Sequence, residues 1–166
     1  MAKGFFTQGV VVLFDETPTK ASLANALKDF DIEGDAPPSE SWPLGGPGLI
    51  VSYRPEVNGY VEVDVVDKPW PDHMGDPKGS QEDAMIFSAW SSGHFGPFAF
   101  PGGLERAAEQ CWREKEIGDD VSDHQGFARV RLSYVFGAHD DTPIMPDDCD
   151  PIEELDFVTG VAEALC

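Results

Sequence analysis

The stretch YVEVDVVD (Tyr60–Asp67) decides how this chain folds. Three valines alternate in it with Glu62 and Asp64. Because successive side chains of a β-strand point to opposite faces, the pattern predicts a strand with one apolar face and one charged face. The dipeptide Asn58-Gly59 predicts a turn directly before the strand. We therefore expect a sheet with one face in the core and the other in water.

A second alternating stretch, FARVRLSYVF (Phe127–Phe136), predicts another strand of this sheet. Its apolar side chains would point into the core, and Arg129 and Arg131 would point outward. Opposite charges on neighbouring strands attract one another, so we expect these arginines to neutralise Glu62 and Asp64 across the sheet.

Other local patterns predict the remaining elements. The stretch Phe5–Phe14 contains the continuous apolar run Val10–Phe14, which is typical of a central strand buried on both faces. A threonine followed by proline, or an acidic or hydroxyl residue at the N-cap, marks helix starts. The further elements expected are a strand at Leu49–Tyr53 and helices that begin at Thr17, Ser80, Leu104 and Asp150.

This order of strands and helices predicts a single α+β domain over residues 1–166. The architecture expected is a two-layer sandwich: a ferredoxin-like βαββαβ sheet with helices on one face, plus an extra C-terminal helix. The chain stops at Cys166, in an apolar helical turn without a glycine cap or polar tail. We therefore expect it to be the N-terminal part of a longer protein.

The net charge of the chain and other bulk features of the sequence exclude several classes of function. It carries 31 Asp and Glu against 11 Lys and Arg, a net charge of −20, whereas small domains usually carry a magnitude of roughly 2–8. Direct nucleic-acid binding needs a basic surface and is not expected. No apolar run has the ~20 residues of a membrane helix, and the N-terminus lacks a signal-peptide pattern. Three cysteines without metal spacing fit a reducing cytoplasm.

Clustered acidic residues and loop aromatics are the candidate contacts for a basic protein partner. Interfaces favour aromatic anchors, and acidic patches attract basic surfaces. The alternative for the acidic cluster is an ordinary solvated loop and helix start. The residues predicted to bind a partner are Asp140, Asp141, Asp147, Asp148, Asp150, Glu153, Glu154, Trp70, His94 and Phe95.

Catalytic and metal motifs are weak. Asp72-His73 with Asp76 has suitable ligand types, but it lacks the spacing of a calcium loop or a zinc helix. His94 follows two serines without a nucleophile elbow. We expect no cofactor and no metal, and we expect that the protein is not an enzyme. A metal-dependent or His/Asp-based enzyme remains the alternative.

Three long segments resemble a bacterial family of unknown function, DUF4261. They are RPEVNGYVEVDVVDKPWPDHMGDP (Arg54–Pro77), AWSSGHFGPFAFPGGLERA (Ala89–Ala107) and RVRLSYVFG (Arg129–Gly137). Members of this family occur among genes linked to type VI secretion, and they continue beyond the point where this chain ends. The resemblance implies an immunity protein that neutralises a secreted toxin.

The charge and the resemblance together favour a cytoplasmic immunity protein against a basic toxin, a nuclease above all. A nuclease cleft is basic because it binds phosphates, so an acidic surface is steered to it. Adaptation to high salt is a third interpretation, and it explains the acidity without any partner.

Overall fold

The computed structural model of the chain describes residues 6–36, 46–111, 115–134 and 145–166. The strands in these ranges are β1 (Phe6–Phe14), β2 (Ile32–Asp35), β3 (Gly48–Arg54), β4 (Gly59–Val66) and β5 (Gly126–Ser133). The helices are α1 (Lys20–Ala26), α2 (Gln81–Ser91), α3 (Gly103–Gln110), α4 (Lys115–Asp123) and α5 (Pro151–Glu163). One sheet has the order β1-β5-β4-β3-β2, and every neighbouring pair is antiparallel.

The α+β class is confirmed, but the ferredoxin-like topology is wrong. In a ferredoxin-like βαββαβ sheet the first strand lies inside the sheet between two neighbours, whereas the order here is β1-β5-β4-β3-β2. β1 was expected at the centre of the sheet and lies at its edge. β2 was not expected, because its sequence Ile-Glu-Gly-Asp has low strand propensity. Pairing with β3 forms it instead.

The main core lies on the face of the sheet that carries the predicted inward valines. Val61, Val63 and Val65 are fully buried, as the alternation predicted. α1 and α5 cover this face with apolar side chains at helical spacing. The buried apolar side chains on this face are Leu23 of α1, Leu27 at its C-cap, and Val158, Val161 and Ala162 of α5.

The opposite face of the sheet is also covered, so the expectation of a wet face and of helices on one face is wrong. Ile86 and Ala89 of α2 pack against Val66 and Phe127 of the sheet, and Phe95 of the following loop joins them. All residues of β5 are buried. The molecule therefore has helices on both faces of the sheet.

Paired charges explain how this second face can be buried. As predicted, Glu62 lies opposite Arg131 and Asp64 opposite Arg129 in the strand register. Arg129 binds Asp64 through both Nε, at 3.0 Å, and Nη2. Arg131 Nη2 donates to Glu62 at 3.1 Å and to Asp64 at 3.3 Å. Buried charges are tolerated when they are paired in this way.

The loop of residues 92–102 is tied to this network by its backbone. The carbonyl oxygen of His94 accepts hydrogen bonds from Arg129 Nη1 at 3.3 Å and from Arg131 Nη1 at 2.6 Å. The Phe6 ring lies 4.3 Å from the Arg131 guanidinium carbon. The buried arginines thus hold the loop on the sheet.

Helix starts were predicted with mixed success. The N-caps of α2 and α5 are Ser80 and Asp150, as expected. α1 begins at Lys20 with Thr19 as its N-cap, two residues later than the Thr17-Pro18 signal indicated. α4 was not predicted. Within the described ranges, no helix combines the length and the apolar character that a bilayer-spanning segment needs.

Candidate protein-binding surface

Helix α3 is held by a carboxylate from a distant loop. Gly102 precedes the helix with a left-handed φ of 78° and offers no capping side chain. Asp72 replaces the cap: its carboxylate accepts hydrogen bonds from Leu104 N at 3.1 Å and from Glu105 N at 2.8 Å. The Gly102 N–H also donates to the Asp72 carbonyl oxygen at 3.0 Å. These contacts satisfy backbone donors at the start of α3 and fix its position.

A groove of about 670 Å³ lies between α3 and α4. We call it the acidic groove, because carboxylates dominate its lining and no Lys or Arg is among the described residues that form it. Glu105, Glu109 and Asp119 are exposed there, and none of them has an ion-pair partner in the described part of the chain. The lining residues are Asp72, Leu104, Glu105, Ala108, Glu109, Cys111, Gly118, Asp119 and Ser122.

A second groove, of about 250 Å³, lies on the other side of α3. We call it the apolar groove, since its lining is Val11, Leu13, Trp70, Phe98, Ala99, Phe100, Gly103, Leu104 and Ala107. Phe98 is 71% exposed and Phe100 is 49% exposed. Exposed aromatic side chains beside a groove are typical of protein-binding surfaces. Leu104 lines both grooves, so the acidic and the apolar surface are contiguous.

Beneath the apolar groove lies a cluster of aromatic rings. The Trp70 ring contacts Phe95, Phe127 and Trp90 edge-on, with centroid distances of 4.9, 5.0 and 5.5 Å. Edge-to-face contacts at these distances are favourable. The backbone N–H of Trp70 donates to Nε2 of the buried His124 at 2.7 Å. The Nδ1 atom of the same imidazole lies 2.7 Å from the Val121 carbonyl oxygen. The ring contacts and the His124 hydrogen bond position Trp70, which lines the groove.

The three predicted aromatic contacts therefore lie mostly below the surface. Phe95 is buried, so a partner does not reach it in this fold. Trp70 and His94 are half-buried. Trp70 still lines the apolar groove, whereas His94 contributes its carbonyl group to the buried arginines.

The predicted acidic residues near the C-terminus differ in the contacts that they make. Asp140 and Asp141 lie outside the described residues. Asp148 accepts two hydrogen bonds from Arg54 Nη2, at 3.0 and 3.2 Å, and this contact lowers the pKa of Asp148. Asp150 caps α5 through Ile152 N at 2.9 Å. Asp147, Asp148, Asp150 and Glu153 are all exposed.

Glu154, predicted as a surface contact, is an interior residue instead. It is 2% exposed, and its carboxylate accepts a hydrogen bond from the Tyr134 hydroxyl at 2.6 Å. Burial and the adjacent carboxylate raise the pKa of Tyr134. The prediction that Leu155 belongs to the buried face of α5 is wrong: Leu155 is 44% exposed, and Glu154 is buried instead.

The residues considered for an enzyme serve local structure. Asp72 caps α3, His73 Nδ1 accepts from Gly75 N at 3.2 Å, and Asp76 accepts from Lys78 N at 2.8 Å. Among the described residues, no three His, Cys, Asp or Glu side chains are grouped so as to hold a metal ion.

Among the residues that line the two grooves, Trp70 alone was a predicted partner contact. Phe98 and Phe100 stand between Pro97 and Pro101, and prolines that interrupt regular pairing were a signal that these rings stay outside the sheet. Glu105 and Glu109 are four residues apart, which places them on one face of a helix. α4 was missed, so the second wall of the acidic groove was missed as well.

Comparison with known proteins adds no further constraint. The chain matches no family model, no curated protein and no solved structure. Its function therefore has to be inferred from its own sequence and surface.

Proposed function

We propose that this protein is an immunity protein: it binds a secreted bacterial toxin and neutralises it in the cytoplasm. The toxin is a basic effector of a type VI secretion system, most simply a nuclease. The observation that carries the proposal is the acidic groove, in which Glu105, Glu109 and Asp119 are exposed without a cationic neighbour among the lining residues. The family resemblance supports the same class of function.

Electrostatics supports a basic partner for this surface. Carboxylates that line one groove repel one another, and a Lys- or Arg-rich surface relieves that repulsion. The net charge of −20 extends the attraction beyond the groove, so that encounters with a basic protein are steered and fast at low salt. A nuclease whose phosphate-binding cleft is occupied by these carboxylates would be inhibited.

Titration calorimetry and stopped-flow association with the effector domain encoded beside the gene test this proposal. The variant Glu109→Lys with Asp119→Lys reverses two groove charges, and we expect it to weaken affinity about tenfold or more, mainly through slower association. Wild-type association should also slow as salt rises.

A matched control separates the groove from the net charge. Asp29→Lys with Glu163→Lys changes the net charge by the same amount at exposed positions outside both grooves. We expect this control to keep most of the affinity. No binding of the effector by the wild type would refute the proposed function, and equal losses in the two variants would exclude the acidic groove as the contact.

A further inference from the structure

The two edges of the sheet differ in how they are protected. β2 has four residues, its Glu33 and Asp35 are exposed, and Lys20 pairs with Asp35. Short length and charge are the usual ways in which a sheet edge is protected from pairing with another chain. β1 has nine residues, Phe6–Phe14, and contains neither a charged residue nor a proline. The β1 edge therefore lacks the protection that the β2 edge has.

In the part of the chain that the structure describes, the backbone of β1 bonds almost entirely to β5. β1 pairs with β5 only, and Phe14 O accepts one further bond from Gln125 N at 2.7 Å. In the described ranges, no other backbone group bonds to this strand. Every second N–H and C=O of an edge strand points outward, so β1 presents a row of donors and acceptors that have no backbone partner among the described residues.

The apolar groove runs beside this edge. Pro97 packs over Gly9, where an added Cβ would lie 3.1 Å from Pro97 Cδ. The loop thus covers the first half of β1, while Val11 and Leu13 of the second half line the groove. An edge strand with a pocket for alternate side chains is the arrangement by which extended segments are bound.

We infer that the second half of β1 and the apolar groove bind an extended segment of the basic partner, which pairs with β1 as a sixth strand. This inference rests on the proposed function. Apolar side chains at alternate positions of the segment would enter the groove between Leu13 and Phe98. Lys or Arg residues flanking them would reach the acidic groove across Leu104, which lines both grooves.

Charge selects a basic segment over a second copy of this chain. Two copies that each carry −20 repel one another, and the repulsion is strongest at low salt. A cationic segment is attracted by the same charges. The occupant is therefore an extended, apolar segment with basic flanks.

Hydrogen–deuterium exchange of the chain, alone and bound to the effector domain encoded beside the gene, tests the inference. On binding, we expect slower exchange at alternate amides of Val10–Phe14, and no change at the β2 amides of the same sheet. Binding without protection of β1 would overturn this inference and leave the proposed function intact. Failure of the effector to bind would overturn both.

Two further measurements address other occupants and the groove. Sedimentation velocity of the chain alone should show a monomer, and concentration-dependent dimers with protected β1 amides would assign the edge to a second copy and overturn the inference.

Phe98→Ser should weaken effector binding about tenfold. Ile152→Ser, at a position equally exposed at 71% but on α5, should not. Equal affinities of the two variants would exclude the apolar groove.

Discussion

At the scale of single residues, the fold changes the pKa of Asp64. Burial by itself raises the pKa of Asp64, but the attraction of Arg129 and Arg131 outweighs it and holds that pKa below its usual range. Glu62, at the margin of the same network, has its pKa raised by burial in spite of Arg131. The two carboxylates therefore contribute to stability with opposite dependence on pH.

Asp64→Asn should reduce the free energy of unfolding at pH 7 by about 3–5 kcal/mol, because it leaves buried arginine charge uncompensated. As pH falls below the ordinary Asp pKa of about 4, Asp64 becomes protonated in the unfolded chain but stays ionised in the folded protein. The stability from Asp64 is thus present above that pH and is lost as pH falls through the folded pKa. Glu62 offsets part of this loss.

Urea unfolding of wild type and Asp64→Asn at several pH values from neutral to acidic measures both effects. The variant should lose less stability on acidification than the wild type does. Asp29→Asn, at an exposed position, serves as the control and should behave like the wild type. Identical acid dependence in Asp64→Asn and wild type would contradict the assigned role of Asp64.

At the scale of elements, α3 and α5 were both predicted close to their observed starts, but only the cap of α5 was predicted. Asp150-Pro151-Ile152-Glu153 is a local signal, and α5 begins there as predicted. α3 begins after a glycine, and its cap, Asp72, comes from a residue 33 positions before Glu105. A cap supplied by a distant loop leaves no mark in the sequence around the helix.

Asp72→Ala should destabilise the protein by about 1 kcal/mol, within the usual range for a lost helix cap. We also expect faster amide exchange in the first turn of α3, since two backbone donors lose their acceptor. Asp76→Ala removes a carboxylate from the same loop that bonds only to Lys78 N among the described residues, so it should leave exchange in α3 unchanged. Unchanged exchange in α3 of Asp72→Ala would show that other contacts hold the helix.

At the scale of the whole molecule, the net charge of −20 opposes the compact state. Salt screens this repulsion, so the urea midpoint of unfolding should rise as salt is added at low ionic strength. The rise should level off at a few tenths molar salt, because the Debye length has then fallen to several ångströms. Sodium chloride titrations with urea, an uncharged denaturant, measure the effect. A midpoint that keeps rising into molar salt would favour adaptation to high salt as the origin of the acidity.

The sequence by itself determined the features that arise from local pattern. Alternation identified β4 and β5 and the valines that enter the core, and it also predicted the pairing of Arg129 and Arg131 with Asp64 and Glu62. Capping residues located α2 and α5. These signals are readable because side-chain direction and backbone capping depend on residues that are close along the chain.

Only the tertiary structure decided the strand order, the cover on the second face and the two grooves. The edge position of β1, the burial of Phe95 and Glu154 and the exposure of Phe98 depend on which distant segments meet. The acidic groove needs α3 and α4 together, and the apolar groove needs β1, the loop of residues 92–102 and α3. Such surfaces arise from packing between segments far apart in sequence, which no local pattern of residues encodes.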